Sequence, residues 1–175
     1  MLVTICTANC VGQAGNCSYP NKVTVVTPEQ LQEAVKKDHV CAEFKGNYRS
    51  IENFIRSDVI VMDIDNDHTE VPADWITAEK LEELFPNVEY LLAPSRHHLL
   101  DKEGKSARPR YHMYFPISEI TDASRYANLK KAIQSAYSFF DGNALDAARF
   151  IFGAECEEVI FHEGWMTVDE EVAIS

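Results

Sequence analysis

The run at residues 59–65 constrains this chain more than any other stretch, because it is apolar up to the point where it delivers two carboxylates. Asp63 and Asp65 are two residues apart, and side chains alternate faces along a strand, so both should lie on one face with Cα atoms roughly 6–7 Å apart. Apolar residues favour burial, whereas adjacent like charges resist it. We expect the strand to end at a cleft where the pair shares a divalent cation. The alternative is a plain strand entering an Asp/Asn-rich turn at residues 66–68.

Length and composition favour a single domain, since a chain of 175 residues buries roughly 70% of its unfolded surface. No run of 18 apolar residues is present, and residues 1–18 lack the basic segment and apolar core of a secretion signal. We therefore expect a cytoplasmic location and no membrane partner.

The five cysteines, an odd number without regular pairing, fit a reducing compartment better than a disulfide framework. Cys6, Cys10 and Cys17 cluster, but their spacing lacks the close C-x-x-C pair of common zinc sites. We expect buried or loop thiols in preference to a structural zinc site.

The net charge of −12, from 16 basic and 28 acidic residues, argues against a protein that coats nucleic acid by bulk attraction. The distribution of charge is uneven along the chain. Residues 150–175 carry seven acids and no Lys or Arg, whereas residues 96–112 carry five cations and two acids. An anionic partner is expected to approach the second of these segments.

Residues 1–57 are predicted to form an N-terminal α/β module. Thr27 and Gln30 make the pattern of a capping box, which predicts a helix starting after Thr27. Ser50 is predicted to cap a short helix that reaches Ile55. Three strands are expected in this module, at residues 2–6, 22–26 and 40–44.

Residues 58–153 follow the order strand, helix, strand, strand, helix, strand, with helix caps predicted at Thr77 and Thr121. This is the α+β class with the split βαβ arrangement, βαββαβ, an RRM-like or ferredoxin-like palm core. The helices would cover one sheet face, the N-terminal module would pack against the core, and the other sheet face would stay free for binding. The predicted strands are residues 59–65, 90–93, 111–117 and 149–152.

Residues 154–175 are predicted to be an acidic C-terminal segment with short strands. A hairpin is expected around Glu163 and Gly164, since apolar residues flank this pair on both sides.

The polar candidates for chemistry combine carboxylates with cations. Phosphoryl and nucleotidyl transfer need both, because two divalent ions clamp the attacking and leaving oxygens while Arg, Lys or His neutralises phosphate charge. No Ser-His-Asp order and no P-loop competes with this interpretation. The candidates are Asp63, Asp65, His112, an acid near the last helix (Asp141 or Asp146), and the cations Arg96, Arg110 and Arg149.

Other sites also use Asp-x-Asp. A calcium loop needs Gly and Glu where this chain has His68 and Asp74, and it follows a helix, so that interpretation fails. A phosphatase of the haloacid-dehalogenase type has a similar strand, usually with Thr or Val where this chain has Asp67. A sugar-nucleotide transferase is compatible with the strand alone.

Three ordered motifs resemble those of the archaeo-eukaryotic primase (primase-polymerase) superfamily. Residues 60–65 resemble the first motif, and residues 109–115 resemble the second, in which a small or basic residue and any residue precede His112. Residues 139–141, followed by Arg149, resemble the third. The family's Ser-Gly close before the His is missing, and the Ser available here lies upstream across a basic loop.

This resemblance implies a catalytic centre made of Asp63, Asp65, Asp141 and His112, in which the three aspartates bind two Mg²⁺ or Mn²⁺ ions. It also implies residues that hold the incoming nucleoside triphosphate, namely Ser95, Arg110, His112 and Arg149. We further interpret three basic residues as template contacts: Lys45, Arg49 and Arg96.

The leading hypothesis is therefore a DNA primase-polymerase catalytic domain that transfers nucleotidyl groups on a single-stranded DNA template during DNA replication. The resemblance is strongest to domains of phage, plasmid and mobile-element replication proteins, where a helicase or primase-associated domain often follows. Two alternatives remain open. One is a non-catalytic RRM-like module that binds single strands, although the usual stacking aromatics are not evident. The other is a metal-dependent phosphatase.

Overall fold

In the computed structural model, which describes residues 1–174, the chain forms two antiparallel sheets with α-helices packed around them. The described strands are β1 (Val3–Thr7), β2 (Asn21–Val25), β3 (His39–Val40), β4 (Glu43–Phe44), β5 (Phe54–Ile64), β6 (Tyr90–Pro94), β7 (Tyr111–Ile120), β8 (Phe150–Ile151) and β9 (Ile160–His162). The described α-helices are α1 (Pro28–Ala34), α2 (Ala78–Leu84), α3 (Ala123–Ala136) and α4 (Val168–Ile174). This confirms the α+β class.

The first sheet has the strand order β2-β1-β3-β8 and carries most of the N-terminal module. β1 is buried along its whole length. The predicted capping box begins α1: the Gln30 backbone N–H donates to Thr27 Oγ1 at 3.3 Å, and the Thr27 N–H donates to Gln30 Oε1 at 3.1 Å. Leu31 and Ala34 turn the buried side of this short helix onto the sheet.

The second sheet has the strand order β4-β5-β7-β6-β9. β7 lies between β5 and β6 and is antiparallel to both, in a register that sets Asp63 opposite His112 and His112 opposite Ala93. The long β5 brings its acidic end to the point where β6 and β7 also begin or end. Strand register therefore positions the candidate site.

The prediction that residues 149–152 form the fourth strand of the core sheet is wrong, because β8 pairs with β3 in the other sheet. A buried carboxylate explains this placement: Asp38 accepts backbone hydrogen bonds from Gly12 and Gly153, each 2.8 Å long. Gly153 also lies so close to Lys36 that a Cβ atom would meet its carbonyl oxygen at 2.3 Å. The edge of β5 is occupied by β4 instead, so the full βαββαβ order is not present.

The prediction that one face of the core sheet stays free for binding is also wrong. One face, with Ile60 and Met62, packs against the buried side chains of α2 and α3. The other, with Val59, Val61 and Tyr114, packs against β1 and α1 of the N-terminal module. Since both faces are covered by apolar contacts, only the strand ends remain open to a ligand.

Two smaller differences concern predicted helices. α3 begins after Asp122, whose Oδ1 accepts from the Arg125 N–H at 2.9 Å, and not after Thr121. The predicted helix after Ser50 is a single 3-10 turn without a side-chain cap.

The predicted C-terminal hairpin is absent from the described residues. β9 pairs with β6, while the Trp165 and Met166 N–H groups both donate to the Asn87 carbonyl oxygen. Met166 and Val168 are buried, which holds this segment against the core. Within residues 1–174, no helix has both the length and the apolar character needed to cross a bilayer.

Candidate active site

A cavity of about 440 Å³ opens at the acidic end of β5, between the core sheet and β8. Seven of the ten predicted site residues line this cavity, which brings together side chains from distant parts of the sequence. They are Asp63, Asp65, Ser95, Arg96, His112, Asp141 and Arg149.

Asp63 is the most tightly held carboxylate in the cavity. It is 5% exposed, its Oδ1 accepts from His112 Nδ1 at 2.8 Å, and its Oδ2 accepts from Arg149 Nη2 at 2.9 Å. Burial alone would raise the pKa of Asp63, but His112 and Arg149 outweigh it and hold that pKa well below its usual range. Asp63 is therefore a fixed negative charge with both oxygens engaged.

Asp65 is less constrained, because it lies just beyond β5 and is half-buried. Its Oδ1 lies 3.8 Å from Lys102 Nζ and 3.9 Å from Arg110 Nη1, both longer than direct charge-assisted hydrogen bonds. Burial and the nearby Asp63 and Asp141 carboxylates raise the pKa of Asp65, and Lys102 opposes them. This carboxylate is the one most available to a further cation.

Asp141 is tethered to the end of β5 by its backbone, since its N–H donates to the Asp63 carbonyl oxygen at 2.9 Å. Its Oδ1 accepts from the Asn143 N–H at 3.0 Å, which closes the turn after α3. Asp141 also lines a neighbouring cavity of about 360 Å³, as does Asp65. Asp146 instead accepts from the Ala148 N–H at 2.7 Å and acts as a turn cap.

Ser95 reaches the cavity in spite of its distance from His112 along the chain. Pro94 pairs with Tyr111, and the Ser95 N–H donates to the Arg110 carbonyl oxygen at 3.0 Å. Residues 96–109 form a loop between β6 and β7, and the two strands remain paired in register. Strand pairing thus restores the proximity that the linear spacing obscures.

Arg110, a predicted phosphate contact, is not among the residues that line the cavity. It is fully buried, and its Nη1 donates to the Asp65 carbonyl oxygen at 2.7 Å and to Asp67 Oδ1 at 2.9 Å. Its Nε and Nη2 atoms have no hydrogen-bond partner within residues 1–174. Arg110 therefore braces the backbone that follows β5.

The predicted template contacts separate in space. Arg96 lines the cavity with its guanidinium 4.0 Å from the Phe152 ring centroid. Arg49 lies 4.7 Å from the Phe150 centroid and donates to the Ala148 carbonyl oxygen at 3.2 Å, so it supports the wall from outside the lining. Lys45 is exposed on its turn and does not line the cavity.

Several lining residues were not assigned by sequence reasoning. Phe150 and Phe152 flank the buried Ile151, and this alternation is a signal that they share one face of a strand. Their rings make a T-shaped contact with centroids 5.1 Å apart. Four further unassigned lining residues come from the basic loop: His97, Asp101, Lys102 and Glu103.

The donor set suits a divalent ion in its chemistry. The three aspartates predicted as metal ligands line one cavity, and hard cations such as Mg²⁺ prefer oxygen ligands. Each oxygen of Asp63 keeps a lone pair beyond its present hydrogen bond, and Asp65 has only long contacts. Among residues 1–174, however, no three His, Cys, Asp or Glu side chains already converge closely enough to hold a metal ion. Metal binding would therefore require these side chains to rearrange, and Asp65, with its long contacts, is the least constrained of them.

The comparisons with known proteins point to one fold. No protein-family model and no curated protein matches the sequence. The structure is similar to the AEP domain of the primase-polymerase of cyanophage S-2L, with a TM-score of 0.55 and 14% sequence identity, over 98% of this chain and 88% of that chain. The resemblance to archaeo-eukaryotic primases is therefore confirmed at the level of the fold.

Proposed function

We propose that this chain is the catalytic domain of a primase-polymerase: a nucleotidyltransferase that extends primers from nucleoside triphosphates on a single-stranded DNA template during DNA replication. One observation carries the proposal. A single cavity joins three aspartates to the phosphate-binding candidates His112 and Arg149, in a fold shared with a primase-polymerase domain. Nucleotidyl transfer requires acids and cations together in this way.

In the proposed mechanism, Asp63, Asp65 and Asp141 hold Mg²⁺ or Mn²⁺. When bound, these ions would lower the pKa of the primer 3′-hydroxyl and stabilise the charge that builds on the α-phosphate. Asp63 also orients His112 and Arg149, since each donates to a different oxygen of its carboxylate. In its protonated form His112 donates through its second imidazole nitrogen to a phosphate oxygen, and the guanidinium of Arg149 supplies a positive charge beside it.

The opposite wall of the cavity suits the nucleoside part of the substrate. Phe150 and Phe152 supply apolar ring surface, and bases stack on aromatic side chains or on guanidinium planes. Arg96, stacked on Phe152, presents such a plane beside Ser95. We assign Ser95 and Arg96 to the triphosphate and the base, respectively.

The RRM-like alternative is disfavoured by burial. RNA-recognition sheets stack bases on aromatic residues of an exposed face. Here the corresponding face carries Tyr114, which is fully buried against the N-terminal module. No comparable observation favours the phosphatase alternative.

A primer-extension assay tests the proposal, using purified protein, Mn²⁺, labelled deoxynucleotides and a primed single-stranded template. We expect synthesis that depends on the template. Asp65→Asn and Asp141→Asn should each reduce it at least about 100-fold, because each removes a negative charge from the metal-binding set.

Asp74→Asn is the matched control, since this exposed aspartate lies in a 3-10 turn outside the cavity and should retain wild-type activity. Circular dichroism would verify that every variant is folded. Phosphate release without a template, or no synthesis and no nucleotide binding with either metal, would contradict the proposal.

A further inference from the structure

The basic loop between Ser95 and Arg110 contains a tight hairpin next to the cavity. Lys102 and Lys105 exchange two backbone hydrogen bonds of 3.1 and 2.9 Å, and Glu103 and Gly104 between them have φ values of 50° and 79°. Positive φ at both central residues is the signature of a type I′ turn, which joins two chain segments in a tight hairpin. Two backbone hydrogen bonds therefore close this lysine hairpin, residues 102–105.

The lysine hairpin is also anchored to the chain that follows β5. Arg108 is fully buried, and its Nη1 donates to the carbonyl oxygens of Asn66 at 2.8 Å and Thr69 at 3.1 Å. Arg110 binds the Asp65 carbonyl oxygen from the same side. These contacts hold the loop that carries the hairpin next to Asp65.

Lys102 has the position and the mobility to serve two partners. It lines both of the cavities described above that Asp65 lines. Its ammonium lies 3.8 Å from Asp65 Oδ1, and both side chains are about one quarter exposed. Such a long, hydrated pair is weak. The Asp63 pairs, at 2.8 and 2.9 Å in a buried setting, are not exchangeable in the same way.

We propose that Lys102 exchanges partners during the reaction: it neutralises Asp65 in the metal-free protein and contacts the triphosphate of the incoming nucleotide once Asp65 binds a divalent cation. This inference rests on the proposed function and adds a substrate contact from outside the three motifs. Asp101 and Glu103 line the same wall and cancel the charges of Lys102 and Lys105. Lys102 therefore acts by direct contact and not through a long-range field.

The exchange predicts effects of opposite sign for Lys102→Met, measured without primer or template. Mn²⁺ binding to the free protein, followed by electron paramagnetic resonance, should tighten about two- to fivefold because the competing cation is gone. Calorimetric binding of dGTP at saturating Mn²⁺ should weaken about tenfold because a charged phosphate contact is lost.

Lys105→Met is the matched control, since it removes the same charge from the same hairpin. Lys105 pairs with Asp67 at 3.8 Å and lines none of the cavities that contain Asp65, so both affinities should change less than twofold. The exchange is refuted if Lys102→Met matches Lys105→Met, or if both affinities move in one direction. A wild-type protein that binds neither Mn²⁺ nor dGTP would instead refute the proposed function.

Discussion

His39 shows how a single residue beneath the candidate site is fixed in one protonation state. It is fully buried, with Nδ1 2.8 Å from the Lys37 carbonyl oxygen and Nε2 2.6 Å from the Tyr114 hydroxyl. The carbonyl can only accept, so Nδ1 donates and the neutral ring accepts from Tyr114 through Nε2. Burial lowers the pKa of His39 to about 4.

This depressed pKa makes stability depend on pH. The unfolded chain binds a proton near the ordinary histidine pKa of about 6.5, whereas the folded protein does not until about pH 4. The contribution of His39 is thus complete above pH 6.5 and falls as the pH decreases towards 4. Between pH 7 and pH 5 we expect a loss of about 2 kcal/mol in the free energy of unfolding, measured by urea denaturation.

His39→Gln is the informative variant, because Gln does not titrate and retains one donor and one acceptor. It should be less stable than wild type at pH 7 and should lose less stability than wild type on going to pH 5. Equal losses in both proteins would assign the pH dependence to other groups.

Sequence reasoning succeeded at this scale where the determinants were local. Asp63 and Asp65 follow from strand alternation, and their shared placement on the cavity wall agrees with it. The burial of Arg110 could not be predicted, because it depends on Asp67 and on the chain beyond β5, which only the folded loop brings together. The sequence of a motif does not show in which direction a charged side chain points, because contacts with distant residues decide its orientation.

Among the helices and strands, features set by residues close in sequence were predictable, whereas those set by distant contacts were not. The α1 cap was predictable because Thr27 and Gln30 are only three residues apart in the sequence. The pairing of β8 with β3 was not, because two residues of strand carry almost no preference for a partner. The deciding contacts, Asp38 with Gly153 and Gly153 with Lys36, lie far apart in sequence.

Gly153→Ala tests the contact that places β8. The added Cβ would meet the Lys36 carbonyl oxygen at 2.3 Å, and this atom belongs to the backbone and cannot rotate away. We expect the free energy of unfolding to fall by about 2 kcal/mol or more, as for other overpacked sites. Urea denaturation followed by circular dichroism gives this value.

Gly15→Ala provides the comparison, since a Cβ at Gly15 meets no atom within 4 Å and its φ is not positive. Its stability should remain within about 0.5 kcal/mol of wild type. If Gly153→Ala were equally harmless, the close approach to Lys36 would not be what positions β8.

For the whole molecule, the two sheets are interlocked. β4, from the N-terminal part of the chain, pairs in the core sheet, while β8, from the C-terminal part, pairs in the N-terminal sheet. Residues on the two faces of β5 belong to the two apolar clusters. Neither sheet can therefore be exposed without breaking contacts of the other.

Interlocking predicts one cooperative unfolding transition. Trp75 and Trp165 both lie outside the strands of the N-terminal sheet, whereas far-ultraviolet circular dichroism reports on both sheets. The urea midpoints from tryptophan fluorescence and circular dichroism should coincide. Hydrogen exchange should also show β1 and β5 losing protection together, and earlier opening of β1 would contradict the interlocked arrangement.

The pairing of β6 with β7 brings Ser95 and His112 close together in space, although they are far apart along the chain. Because Pro94 faces Tyr111 and Ala93 faces His112, residues inserted between the two strands leave the meeting point of Ser95 and His112 unchanged. The loop between them can lengthen, shorten or acquire new charges during evolution without rebuilding the candidate site. Proteins of this fold are then better compared by which residues share a strand end than by the number of residues that separate them.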